Sequence, residues 1–146
     1  MTSIKKANLT VLALGALFAS FSGLAYDPYE ISHAAGMYLT ATDLHLRLSN
    51  SQCGYLMKKS APNFEVRLQE VLSYLTPSDK IEFEAMVRST EFKNKLEKNK
   101  YLINGSYDAF LKEGVDSKTA CGLVWGSLSQ AISKGETTWK NVNKNR

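Results

Sequence analysis

The chain has few of the residues from which conventional active sites are built. Among its 146 residues there are only two cysteines and two histidines, and a metal site needs more ligands than these readily provide. The sequence contains no Gly-x-Ser-x-Gly elbow, no His-Glu-x-x-His pair and no glycine-rich phosphate loop. On a continuous helix, His33 and His45 would lie about 120° apart around the axis, so they cannot bind one metal from a single face. We therefore predict a non-enzymatic protein that uses no metal and no cofactor.

Long hydrophobic runs are also lacking. The best apolar run extends from Ala7 to about Phe18, which is too short for a membrane span of roughly 20 residues. It follows Lys5 and Lys6 and is followed by small residues that end at Ala25, an order typical of a cleaved secretory signal. We predict that residues 1–25 are a signal peptide and that residues 26–146 act in the periplasm or outside the cell, without stable membrane insertion.

The chain carries no strong excess of charge of either sign. It has 18 Lys and Arg against 14 Asp and Glu, and the predicted signal peptide contains two of the basic residues and none of the acids, which leaves 16 against 14. Part of the remaining surplus lies in the polar segment 136–146. We expect this segment to be a frayed tail and not an arm that binds nucleic acid.

Both cysteines, Cys53 and Cys121, lie in the predicted mature part. An even number of cysteines in an oxidising compartment indicates a disulfide, and two cysteines allow one intramolecular pairing. They are too far apart in sequence to resemble a Cys-x-x-Cys redox pair. We predict a structural Cys53–Cys121 disulfide, which stabilises the fold by about 4 kcal/mol in the chain-entropy model.

The spacing of apolar residues predicts an all-α fold, a single compact domain of four to five helices. Segment 29–49 has the spacing of a helix with a broad apolar face. Residues 43–48 nevertheless alternate as a half-buried strand would, so a strand within 37–48 stays open as an alternative. We favour the helix, because no other stretch offers a convincing partner strand.

Local signals predict where the following helices begin and end. Asn63 precedes one helix, and Thr76 followed by Pro77 begins the next. A break is expected around 88–90, and the charged helix after it is expected to be interrupted at 104–105 and to end at Gly114.

The last predicted helix spans about 117–133, with Asp116 as its cap and Gly135 as its end. Beside an apolar stripe it carries a neighbouring stripe made wholly of small residues, namely Gly122, Gly126, Ser129 and Ser133. Small side chains let another backbone approach closely, and each helical glycine costs roughly 1 kcal/mol relative to alanine. We favour a neighbour inside the domain, such as the segment that begins at Cys53. The alternative is an exposed groove for a partner protein.

Trp139 is a further candidate for the partner surface. It stands alone in a polar run, so it must either fold back on the domain or stay available to a partner, and large exposed aromatic residues often anchor protein interfaces.

The general format, an exported helical domain with one disulfide, resembles that of small periplasmic inhibitors, including immunity proteins that block a rival's cell-wall-degrading toxin. It is also similar to that of small acid-stress chaperones of the periplasm. The resemblance implies a protein-binding module whose partner is another protein, with a stress chaperone or assembly factor as the alternative. A small hydrolase-type enzyme is the third interpretation, because active sites can be assembled from residues distant in sequence.

Overall fold

The structure is a computed structural model that describes residues 27–57 and 59–144. The predicted signal peptide, residues 1–25, lies outside the described residues. The described part contains five α-helices and one short 3-10 helix, at Gly54–Leu56. The α-helices are α1 (Pro28–Ser49), α2 (Phe64–Ser73), α3 (Pro77–Arg88), α4 (Thr90–Lys112) and α5 (Ser117–Lys144). No strand occurs in the described residues, so the predicted all-α fold is confirmed and the strand alternative within 37–48 is wrong.

The predicted helix starts are formed by side-chain caps. Asn63, Thr76 and Ser89 each accept a hydrogen bond from a backbone N–H in the first turn of the helix that follows, which satisfies one of the donors that a helix start leaves free. After α4, Gly114 adopts a φ of 86°, a left-handed conformation that favours glycine at the end of a helix. These boundaries were predicted correctly because their causes are local.

Two predicted boundaries are wrong. α4 continues through 104–105 without interruption, because Ile103 on one side and Tyr107 on the other pack into the core and this packing outweighs the low helix propensity of Gly105. α5 does not end at Gly135 but continues to Lys144. The expected polar tail is therefore helical as far as that residue.

Helices α1 and α5, the first and last of the described helices, make the most extensive contact between helices. The core forms two clusters along this pair. One contains Tyr38, Leu39 and Trp139 together with side chains from α2, α3 and the start of α4. The other contains Leu48 and Val124 together with both cysteines and part of α4. The helices thus form a single domain around the α1–α5 pair.

The disulfide joins the turn after α1 to the first turns of α5. The Cys53 and Cys121 sulfurs are 2.04 Å apart and the two residues are 0% and 2% exposed, so the predicted disulfide is confirmed. Nearby, the Trp125 indole N–H donates a hydrogen bond of 2.7 Å to the Cys53 carbonyl oxygen. The turn is therefore held to α5 by both a covalent bond and a hydrogen bond.

Across residues 27–57 and 59–144, no helix is both long enough and apolar enough to cross a membrane.

Candidate functional site

The small residues predicted as a stripe, Gly122, Gly126, Ser129 and Ser133, all lie on the exposed side of α5; we call this surface the α5 small-residue face. A Cβ added to Gly122 or Gly126 would meet no described atom within 4 Å. The expectation that this stripe packs inside the domain is therefore wrong. The reason is that one residue turns the helix by 100°, so the residue after the buried Cys121 already faces away from the core.

A widely open, shallow groove of about 570 Å³, bounded by α5 alone, lies along the C-terminal half of the face. The residues that line it are polar, namely Ser129, Gln130, Ser133, Lys134, Thr137 and Thr138. Two of the hydroxyls already donate to carbonyl oxygens of their own helix, whereas the Gln130 amide and the Lys134 ammonium offer further polar contacts. The lining contains neither a histidine nor a carboxylate. Such a groove can hydrogen-bond to another chain, but it has no pair of groups for general acid–base catalysis.

Four of the residues that line the groove were not predicted from the sequence. Gln130, Lys134 and Thr138 continue the row of Gly126 at steps of four, and Thr137 continues that of Ser133, so all four share a side of the helix. Gln130 was left out because it is not a small residue, and the interpretation of Gly135 as a helix end excluded Lys134, Thr137 and Thr138.

Trp139 does not belong to an exposed surface, so its prediction as a partner contact is wrong. Its side chain is 1% exposed, with its ring 5.8 Å from that of Tyr38 and 5.7 Å from that of Tyr74. Its indole N–H donates to a Glu70 oxygen at 3.4 Å. Trp139 follows Cys121 by eighteen residues, which is five full helical turns, and it therefore lies on the core side of α5.

A polar cluster around Arg67 joins α1, α2 and α5. The guanidinium lies 4.7 Å from the Tyr38 ring centroid, and one of its nitrogens donates to Thr42 Oγ1 and to Glu136 Oε1, both at 3.0 Å. Tyr38 donates its hydroxyl proton to Glu70 at 3.1 Å. Burial raises the pKa of Tyr38 to about 12, so the hydroxyl stays protonated at neutral pH. Because Arg67 is occupied by these protein groups, the cluster orients helices and offers little to a ligand.

A second polar network joins α1 to α4. The Asn99 amide donates to Asp43 at 2.9 Å and to the Thr40 carbonyl oxygen at 3.2 Å. Arg47 donates to Asp43 and to Glu97, both at 2.8 Å. Its hydrogen bond to Glu97 lowers the pKa of that carboxyl. Asp43 and Asn99 are 8% and 7% exposed, so this network also satisfies buried polar groups and fixes the helix packing.

The two histidines lie in different environments. His33 is exposed and its ring is stacked 6.2 Å from that of Tyr29. His45 is half-buried, and burial lowers its pKa. Neither lines the groove on the α5 small-residue face, so this surface gives the hydrolase interpretation no support. Within the described residues, no group of three or more His, Cys, Asp or Glu side chains could hold a metal ion.

No family model, no curated protein and no solved structure matches this chain. A function must therefore be inferred from its own residues. Of the surfaces described above, the α5 small-residue face combines exposure, a groove and a composition that the packing of the domain does not explain.

Proposed function

We propose that the chain is an exported, non-enzymatic protein-binding module of the inhibitor or immunity type, which binds another protein through the α5 small-residue face. The observation that carries this proposal is the free space above Gly122 and Gly126. Each glycine weakens the helix by roughly 1 kcal/mol relative to alanine, and no described part of the domain fills the space that the absent side chains leave. The backbone of a partner protein can approach α5 closely in that space.

The fold presents this face on a well-anchored helix. Cys121 ties one end of α5 to the turn after α1, and Trp139 holds the other end in the core. A surface that is already ordered loses less conformational entropy on binding. This anchoring supports a docking role for the exposed side of the same helix.

The charges along the row suggest the chemistry of the partner. Lys118 precedes Gly122 by four residues. At the other end, Lys140 and Lys144 follow Thr137 by three and seven residues, which places them on the same side of the helix. All three lysines are exposed. We therefore expect the contacting segment of the partner to be acidic, because complementary charges favour both encounter and register.

The compartment is part of the proposal. The predicted signal peptide at 1–25 directs the chain out of the cytoplasm, and a disulfide persists in an oxidising environment such as the periplasm. A partner met there would be another exported protein or one that arrives from outside.

Site-specific photo-crosslinking in cells tests the proposal. A photoreactive amino acid at Ser129 or Ser133 should form a covalent adduct with one protein, whereas the same group at Lys93, exposed on α4, should not. Mass spectrometry then identifies the partner, and Gly126→Leu should abolish its binding in calorimetry. An inhibitor-type role further requires that the partner be an enzyme whose activity falls when it is bound. Equal adducts at all three positions, or none at the α5 positions, would contradict the proposal.

One observation favours the alternative, a stress chaperone or assembly factor. His45 has a buried ring nitrogen without a hydrogen-bond partner among the described residues, so acid should loosen the packing around it. A chaperone would then expose apolar surface while its helices persist. Binding of a hydrophobic dye that rises as the pH is lowered, with unchanged far-ultraviolet circular dichroism, would favour this alternative.

A further inference from the structure

His45 lies where α1, α5 and the turn that carries Cys53 meet. Its ring packs edge to face with that of Trp125, at 90° and with 6.2 Å between the centroids. The same indole donates its N–H to the Cys53 carbonyl oxygen at 2.7 Å. Trp125 thus contacts the histidine with its ring and the turn with its N–H group.

The two ring nitrogens of His45 are not equivalent. Nδ1 is buried and has no hydrogen-bond partner in the described part of the chain. A neutral imidazole can leave one nitrogen without a proton, whereas an imidazolium carries a proton on both nitrogens and needs an acceptor for each. A buried N–H group without an acceptor is costly. The geometry therefore favours the neutral ring.

Two charged groups act on this ring from the helices packed around it, Glu136 on α5 and Arg67 on α2. The carboxylate favours the imidazolium and the guanidinium opposes it, but the two are bound to each other at 3.0 Å, so their effects partly cancel. The turn at 50–57 contains no charged residue. Burial is the largest influence and lowers the pKa of His45.

We propose that the contact between His45 and Trp125 is an acid-sensitive latch, which holds the turn at 50–57 against α5 when the ring is neutral and releases it when the ring is protonated. The Cys53–Cys121 disulfide keeps the released turn tethered. Release uncovers Leu56, which is partly buried against the core cluster that contains Cys121. This device goes beyond the proposed protein-binding role and does not depend on it.

Hydrogen exchange tests the latch on the full chain. The Trp125 indole N–H donates from α5 to the Cys53 carbonyl oxygen, so its exchange reports separation of the turn from α5, and the amides of Gly54, Leu56 and Met57, which are hydrogen-bonded within the turn, report its unfolding. After correction for intrinsic exchange, their protection should fall roughly tenfold or more between about pH 7.5 and 4.5 in the wild type. His33→Gln, which alters the exposed histidine, should behave like the wild type. His45→Gln should show no such loss, because glutamine does not titrate.

A second measurement on the unaltered protein keeps the test decisive if His45→Gln fails to fold. The imidazole proton resonances of His45 should titrate below about 6.5, the value of an unperturbed histidine, and the amide shifts of Gly54 and Leu56 should follow the same midpoint. Equal protection of the turn at both pH values would overturn the latch. A titration midpoint of His45 at about 6.5 or above would also overturn it, as would the same loss of protection in a folded His45→Gln variant. None of these measurements involves a partner, so they stand apart from the test of the proposed function.

Discussion

Gly135 of α5 lies against Ala41 of α1 at the point where the two long helices cross. A Cβ at position 135 would stand 2.6 Å from the Ala41 Cβ and 2.8 Å from the Met37 carbonyl oxygen, which is closer than real Cβ atoms approach. The absence of a side chain at this one position lets α1 and α5 pack at this distance. The glycine that admits a neighbouring helix is therefore Gly135, not Gly122 or Gly126.

Gly135→Ala should destabilise the domain, because one of its close neighbours is backbone and cannot move without shifting a helix. Overpacking of this kind costs roughly 1–3 kcal/mol, and chemical denaturation measures it. The matched control is Gly126→Ala, where the added methyl group enters open space and helix propensity should raise the free energy of unfolding by up to about 1 kcal/mol. Equal stability of the two variants would show that the helices do not meet as described.

Gly126→Leu separates the fold from the proposed partner surface. Since nothing in the described domain lies within 4 Å of a Cβ at this position, the variant should unfold at the same denaturant concentration as the wild type or slightly higher. Binding to the crosslinked partner should be lost, because the side chain blocks close approach. A clear loss of stability would instead restore the interpretation that this stripe packs inside the domain.

The parts of the fold that could be predicted from the sequence are those with local causes. Asn63 and Thr76 cap helices through bonds within three residues, and Gly114 ends α4 through its own backbone conformation. The Cys53–Cys121 pairing followed from there being only two cysteines. Each of these features depends on a short stretch of sequence or on a count.

The parts that were predicted wrongly depend on where distant helices lie. Gly135 lies three residues after the buried Ile132 and four before the buried Trp139, on the apolar side of α5, but its contact with Ala41 of α1 could not be predicted from that spacing. The bond between Arg67 and Glu136 joins residues 69 positions apart, and no spacing within either helix reveals it. The helical spacing separates the exposed side of α5 from the buried one, but the helices that cover the buried side could be identified only once they were placed.

Reduction of the Cys53–Cys121 disulfide should lower the thermal midpoint, because the unfolded chain regains the entropy of a loop with a sequence separation of 68. The chain-entropy model gives about 4 kcal/mol for a loop of this size. Calorimetry with and without reductant measures the change, and thiol titration of the native protein should find no free cysteine. The double variant Cys53→Ala/Cys121→Ala serves as a control, since its midpoint should not respond to reductant.

Trp139→Ala should be among the most destabilising single substitutions, since it removes a fully buried ring that packs against Tyr38 and Tyr74. Replacement of a core tryptophan by alanine costs about 3–5 kcal/mol. Denaturation followed by far-ultraviolet circular dichroism measures the loss. Tyr29→Ala is the contrasting control: this ring is 75% exposed, and its removal should change stability by no more than about 0.5 kcal/mol. A mild effect at Trp139 would mean that the end of α5 is not anchored in the core.

His45 should make the free energy of unfolding depend on pH, and the domain should lose stability as this residue becomes protonated. Burial lowers the pKa of His45 in the folded state, so below about 6.5 the unfolded chain takes up the proton more readily than the folded one. The stabilising contribution of neutral His45 is thus fully present above that pH and is lost as the pH falls towards the pKa of His45 in the folded state. Carboxyls with lowered pKa, such as Glu97 and Asp116, also reduce stability in acid, but they are unchanged in His45→Gln. The difference in free energy of unfolding between wild type and His45→Gln should therefore decline between about pH 7 and 5, and a difference that stays constant would show that His45 titrates alike in both states.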